Sequence, residues 1–276
     1  MSAILTLHGL LFNSNPQWVE EVEQDFDDPL IRDQVKIKWH NGIAGEVGLA
    51  RSKSFEGTDT PFIGWIDPDD RYPNLWALDE ILWELEYSWR RETIWLAGTS
   101  YSRVNEDLTR TFATDHTEGS MFRLFGNVLH MHGLTIARTE DVLAVKHLIE
   151  DVMSCSEWAL MMAVVIRRLL EGKPVPEVLN ETTWQYEDRL DEVVYKEMEV
   201  SRLWRQYDDQ AHRTLNFKGI PPKTAAMRLF DEYNNGAEMR REFEQLLRNS
   251  TGSCCGRVYS APRKPPPLSS SPVPVF

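Results

Sequence analysis

Cysteine is scarce. Only three occur in 276 residues, Cys155 and the adjacent pair Cys254 and Cys255, so neither a disulfide framework nor a zinc-ligand spacing can be drawn, and a reducing compartment suits the chain. Long apolar runs are missing as well. The longest, Trp158 to Ile166, is about half the ~18 residues that a membrane span needs. Met1 to Leu11 has neither a basic start nor a cleavage pattern, so no secretory leader is expected and the protein reads as soluble and cytoplasmic. Basic side chains are few over residues 1–200, which carry 18 of them against 36 acidic ones, while residues 201–276 carry 12 against 7. So acidic a body argues against generic nucleic-acid binding, and the basic end leaves room for a local anionic partner, a solvated helix face and basic tail being the plain alternative.

What is present is the composition of a globular chain, with 42% hydrophobic residues and ten tryptophans. That length suits one large α/β domain with helical additions, or two modest domains. Ala3 to Leu7 is apolar enough for a first strand, and Ser14 or Asn15 can cap a helix with Pro16 at its first position. Val35 to Trp39 alternates apolar residues with lysines and predicts a second strand that ends at Asn41-Gly42. Phe62 to Ile66 is a short apolar run between Pro61 and Pro68, which predicts a buried strand.

Directly after that strand stand Asp67, Asp69 and Asp70, three carboxylates within four residues. An α/β sheet holds its ligands outside the carboxyl ends of its strands, and such a cluster is unfavourable unless a cation or a set of donors offsets the repulsion. Mn²⁺ or Mg²⁺ takes oxygen ligands and bridges carboxylates to a substrate phosphate. The plain alternative is a solvated turn or a helix cap. Upstream, the small-residue loop from Gly42 to Gly45 and the cation of Arg51 could seat a diphosphate beside the metal. Downstream, residues 74–91 carry an apolar stripe of Leu75, Leu78, Ile81, Leu82 and Leu85, which predicts a helix on the sheet.

Thr93 to Ala97 reads as the next strand, and the polar residues 99–127 read as a long excursion or lid. Val128 to His132 and Leu134 to Ala137 suggest a hairpin about Gly133. His130 and His132 then lie on one side of a strand, where His132 is a candidate metal ligand and packed histidines are the alternative. Thr139 to Ile149 predicts a helix. Ser156-Glu157-Trp158 leads into a helix that is apolar all round and ends near Gly172. Two charged amphipathic segments follow, 180–215 and 223–248, read as helices. Residues 250–276 are rich in Ser, Pro and Gly and read as a flexible tail.

The segment Asn41-Gly42, the pair Ala50-Arg51, the strand from Phe62, the turn Asp67-Pro68-Asp69-Asp70 and then Tyr72-Pro73 resemble, in order and spacing, the nucleotide-sugar half of the family-2 glycosyltransferases. The resemblance covers roughly the first half of the chain. It implies a GT-A-like α/β fold, a mixed and mostly parallel sheet flanked by helices, with a helical C-terminal extension. It divides the chain into a catalytic domain at 1–175 (donor half 1–98, acceptor half 99–175), a helical region at 176–249 and the tail. Family members usually begin with two strand-helix units before the N-G segment, and the second contains an acid that contacts the nucleotide base. This chain has one unit, and His8-Gly9 stands where the acid is expected if Ala3 to Leu7 matches the second strand.

The resemblance further implies metal-dependent, inverting transfer of a sugar from a nucleotide-diphosphate donor to a hydroxyl acceptor, a glycan or a hydroxylated base in DNA. Asp69, with Asp67 or Asp70, would hold the metal. Asp67, Gly42 and Arg51 would bind the donor, Glu157 would be the base and Trp158 would face the acceptor. Two other classes fit the same residues: a metal-dependent phosphohydrolase or nucleotidyltransferase, and a non-catalytic binding protein.

Overall fold

The computed structural model describes residues 3–29, 31–72, 78–79, 82–83, 94–97, 100–105, 107–108, 134–152, 154–173, 177–179, 200–206 and 219–251. Strand β1 (Leu5–Leu11) lies between two parallel neighbours, β2 (Val35–Asn41) and β3 (Phe62–Ile66). Pairing with β3 as far as Gly9 and with β2 as far as Leu11 accounts for a strand that runs four residues beyond the expected end at Leu7. These pairings also leave no room for another strand between β1 and β2. Gly9 serves close approach here, because a Cβ at this position would sit 2.1 Å from the Trp39 ring.

The sheet continues through β4 (Ile94–Ala97), β6 (Thr135–Arg138) and β7 (Glu177–Leu179), in the order β2-β1-β3-β6-β4-β7. β6 runs antiparallel to both β3 and β4, and the other pairings are parallel. A second, two-stranded sheet joins β5 (Ser100–Asn105) to β8 (Val200–Gln206) in parallel. These elements correct two expectations. The stretch read as a lid holds a strand at 100–105, and the stretch read as a helix over 180–215 holds one at 200–206. Each strand finds its hydrogen-bond partner about a hundred residues away, and such pairing leaves no local periodicity to read.

Helix α1 (Pro16–Phe26) starts as expected, with the Asn15 side chain accepting from the Gln17 N–H and Pro16 in the first turn. It covers one face of the sheet, where Val22, Phe26, Leu5, Leu7, Phe62, Ile66, Tyr72, Leu78 and Leu82 form one apolar cluster. The opposite face carries α2 (Val47–Ser54), α3 (Thr139–Val145) and α4 (Ser156–Leu170). The helix expected over 139–149 tightens into a 3-10 turn at Lys146–Ile149.

Every residue of α4 from Ala159 to Ile166 is buried. Its end is a Schellman motif: Gly172 adopts φ +65°, Lys173 N–H donates to the Arg168 carbonyl at 2.8 Å and Gly172 N–H to that of Leu169 at 3.1 Å. The outer side of α4 is covered by α5 (Pro222–Met227), a 3-10 turn at Arg228–Glu232 and α6 (Gly236–Thr251), which place Ala225, Ala226, Met227, Phe230, Phe243 and Leu247 in the same core. The segment expected as one helix over 223–248 is therefore broken. Each large apolar side chain buried in this layer contributes roughly 1.5–3 kcal/mol against solvent exposure. The expected tail begins two residues late, since α6 runs through Thr251; the expectations for residues 128–132 and 252–276, and most of those for 74–91, lie outside the described residues.

Candidate active site

The acidic turn after β3 is held from below. Asp25 on α1 accepts from Arg71 Nε at 2.7 Å and Nη2 at 2.5 Å, and from the Tyr72 N–H at 2.8 Å. Tyr72 is buried and its hydroxyl accepts from the Asp67 N–H at 3.0 Å. The Asp70 N–H donates to the Asp67 carbonyl at 3.4 Å and closes the turn. A bidentate arginine–carboxylate pair thus fixes where the turn presents its side chains.

Above the turn opens a cleft of about 220 Å³, lined by Leu10 and Phe12 at the end of β1, Ser14, Trp18, Val47, Arg51, Asp67, Pro68, Asp69 and Glu157. Four residues singled out in the sequence, Arg51, Asp67, Asp69 and Glu157, therefore meet in one place. Asp70 is buried and does not line the cleft, nor do Gly42 and Trp158. Gly42 lies beneath it, donating its N–H to the Leu11 carbonyl at 2.8 Å; a Cβ here would stand 2.3 Å from the ring of Phe12. Trp158 is half-buried and packs on the core around α4. His130 and His132 lie outside the described residues.

Arg51 is the centre of the arrangement. Its side chain is only 3% exposed. Nη1 donates to the His8 carbonyl at 3.2 Å, and Nη2 lies 2.5 Å from Glu157 Oε1 and 3.6 Å from Asp67 Oδ1. A guanidinium this deeply buried needs anionic or carbonyl partners, and here they come from β1, from the acidic turn and from α4. Glu157 stands in the first turn of α4, where the helix dipole favours a carboxylate. Ser156, beside it, is fully buried.

His8 does not replace the expected base-contacting acid. Its ring is buried, with Nε2 3.0 Å from Thr58 Oγ1 and Nδ1 3.0 Å from His40 Nε2. Thr58 gives its own proton to the Phe55 carbonyl at 2.8 Å, so His8 donates from Nε2 and accepts from His40 at Nδ1. Burial, then His40, Lys38 and Arg51, hold its pKa down at about 3, and the imidazole is neutral at pH 7. The residues that sequence reading missed are Asp25 and Arg71, which hold the turn, and Phe12 and Trp18, which bring aromatic faces to the cleft. Trp18 reads in sequence only as part of a helical apolar face, and no local signal sets it apart.

Among the described residues no three His, Cys, Asp or Glu side chains converge as a metal-binding group. Asp67 and Asp69 on one cleft nevertheless fit a hard divalent ion, which is commonly held by one or two carboxylates with substrate phosphate oxygens completing its shell. Among the described residues no helix is long and apolar enough to cross a membrane.

No protein-family model matches the sequence, and no curated protein matches it. Solved structures do. The structure of S. aureus TarS 1–349 in complex with UDP-GlcNAc matches with a TM-score of 0.54 at 11% identity, over 94% of this chain and 77% of that one. With UDP the same protein gives 0.51 at 10% identity, over 88% and 70%. A further structure of TarS 1–349 gives 0.45 at 13% identity, over 66% of this chain and 58% of that one, so the chain spans less than two thirds of its length. The fold is GT-A-like. Within this GT-A-like sheet the cleft lies at the carboxyl ends of β1 and β3, where open α/β sheets hold ligands.

Proposed function

We propose that the protein transfers a sugar from a nucleotide-diphosphate donor to a hydroxyl acceptor. The observation that carries this reading is the convergence on one cleft of two carboxylates from the turn after β3, a buried guanidinium and the carboxylate at the start of α4. Similarity to a fold whose relatives were crystallised with UDP and UDP-GlcNAc supports it.

Asp69 and Asp67 would hold Mn²⁺ or Mg²⁺ against the donor diphosphate. The ion supplies charge compensation for the departing diphosphate. Phe12 and Trp18 offer faces for stacking the nucleobase or the sugar. The acceptor hydroxyl, on a glycan or a hydroxylated base, approaches from the side of Glu157. Its oxygen bonds to the anomeric carbon while the bond from that carbon to the diphosphate oxygen breaks. The electron pair leaves with the diphosphate and the acceptor proton passes to Glu157. A single in-line displacement inverts the anomeric centre.

The test is calorimetry with UDP, GDP, CDP, TDP and ADP, each with Mn²⁺ and again with chelator. Selective binding of one diphosphate, lost with chelator, is expected. No binding under any condition would remove the transfer reading in favour of a non-catalytic binding protein.

A further inference from the structure

Arg51 was expected, from its place in the sequence, to meet the donor phosphates or to position the loop beside them. Its surroundings suit a different task. The side chain is nearly sealed, and Nε is fully buried without a hydrogen-bond partner among the described residues, so it cannot reach a ligand in the cleft. One terminal nitrogen is spent on the His8 carbonyl. The other faces two carboxylates unequally, Glu157 at 2.5 Å and Asp67 at 3.6 Å. The helix that carries Arg51 is fixed as well. A Cβ at Gly48 would stand 1.9 Å from the Ile149 carbonyl oxygen, so α2 presses directly on the turn that precedes α4.

We propose that Arg51 is a positioning residue for Glu157 that couples the arrival of the diphosphate at Asp67 to the placement of that carboxylate. The proposal rests on the transfer reading above. In the free protein the guanidinium is shared. Asp67 is the loosely held partner, with 39% of its side chain exposed against 21% for Glu157. A cation brought to Asp67 with the diphosphate would compete with Arg51 for its carboxylate oxygens. The guanidinium is then left with Glu157 as its carboxylate partner. Because its plane is fixed by the His8 carbonyl, it holds Oε1 in place and leaves Oε2 to receive the acceptor proton.

The experiment compares Arg51→Met, Arg51→Lys, Glu157→Gln and the Arg51→Met/Glu157→Gln double variant. Diphosphate affinity is read by calorimetry with Mn²⁺, UDP being tested first. Turnover at saturation is read as hydrolysis of UDP-GlcNAc, in which water stands in for the acceptor. Expected are a dissociation constant within about threefold of wild type, a turnover about 100-fold lower in Arg51→Met and partly restored in Arg51→Lys, and no added loss in the double variant, as for residues acting as a unit. A dissociation constant raised about tenfold or more with saturated turnover unchanged would make Arg51 a phosphate ligand and overturn the proposal. Additive losses in the double variant would do the same. Should Arg51→Met fail to fold, Arg51→Lys decides, since its turnover loss must vanish in a Glu157→Gln background. Failure of the wild type to bind any diphosphate is a distinct outcome, which removes the transfer reading itself and this proposal with it.

Discussion

Among the described residues, one arginine–carboxylate cluster stands at each end of α4, and the two differ in what surrounds them. At the cleft, Arg51 faces Glu157 and Asp67, both of which keep part of their surface open to solvent. On the far end of α4, Asp141 is 1% exposed, accepts from Arg167 Nη1 at 3.0 Å and lies 3.9 Å from Arg168 Nε, while Arg167 also meets Glu171 at 2.8 Å. The second cluster ties the start of α3 to the last turn of α4, where cations suit the helix dipole. Burial pushes the Asp141 carboxyl up despite the arginines beside it. The chemistry of the two clusters is the same and their exposure is not. A carboxylate with an open side can exchange its partner for a ligand, whereas a sealed one can only hold the fold together.

Substitutions sharpen that contrast. Asp69→Asn should abolish Mn²⁺-dependent diphosphate binding, a loss of about 100-fold or more on the scale of a missing metal ligand's second-shell support and beyond, with a melting temperature close to wild type. Retained binding in calorimetry would take the metal role from the acidic turn. Asp141→Asn should do the reverse. It leaves buried guanidinium charge without its counterion, and stability in urea should fall by about 3–5 kcal/mol while the folded fraction binds diphosphate as before. If Asp141→Asn unfolded with the wild-type midpoint, or bound diphosphate more weakly, the two clusters would not be separate in function.

Acid tests the histidine network beside the cleft cluster. The folded protein keeps His8 neutral down to about pH 3, whereas the unfolded chain takes up a proton below about pH 6.5. Its contribution to stability is therefore complete above pH 6.5 and declines as the pH falls, by about 1.4 kcal/mol per pH unit. His40, pushed down by burial and then by Lys38 and Arg51, acts in the same direction. Asp141, with its raised carboxyl, acts in the opposite one. Urea midpoints between pH 6.5 and 5 should fall in the wild type and fall less in His8→Gln; equal slopes would place the acid sensitivity elsewhere. The smallest effect is expected for Trp18→Ala, which removes one stacking face worth about 1–3 kcal/mol and should weaken diphosphate binding without altering its metal dependence. Unchanged affinity would take Trp18 out of the donor site.

Much of the fold was legible because its signals are local. Phe62 to Ile66 reads as a buried strand from five apolar or small residues between prolines. Asn15-Pro16 reads as a helix start, and the run after Trp158 as a helix buried on every side. The turn at Asp67 to Asp70 and the carboxylate of Glu157 at a helix start were visible for the same reason, since each is defined by its immediate neighbours. The strands at 100–105 and 200–206 were not, because a strand without clear alternation is stabilised by the backbone of a distant partner.

The same division runs through the cleft. Residue order by itself determined that three acids follow a buried strand and that an acid opens α4. Only the tertiary structure decided that β1 sits directly between β2 and β3, that Asp25 and Arg71 hold the acidic turn, that Phe12 and Trp18 face the cleft and that Arg51 turns toward Glu157. Hydrophobic period and capping are set within a few residues by backbone geometry. The partner of a buried charge is set by whatever the packed elements bring within reach of it, and packing joins residues that the chain keeps far apart.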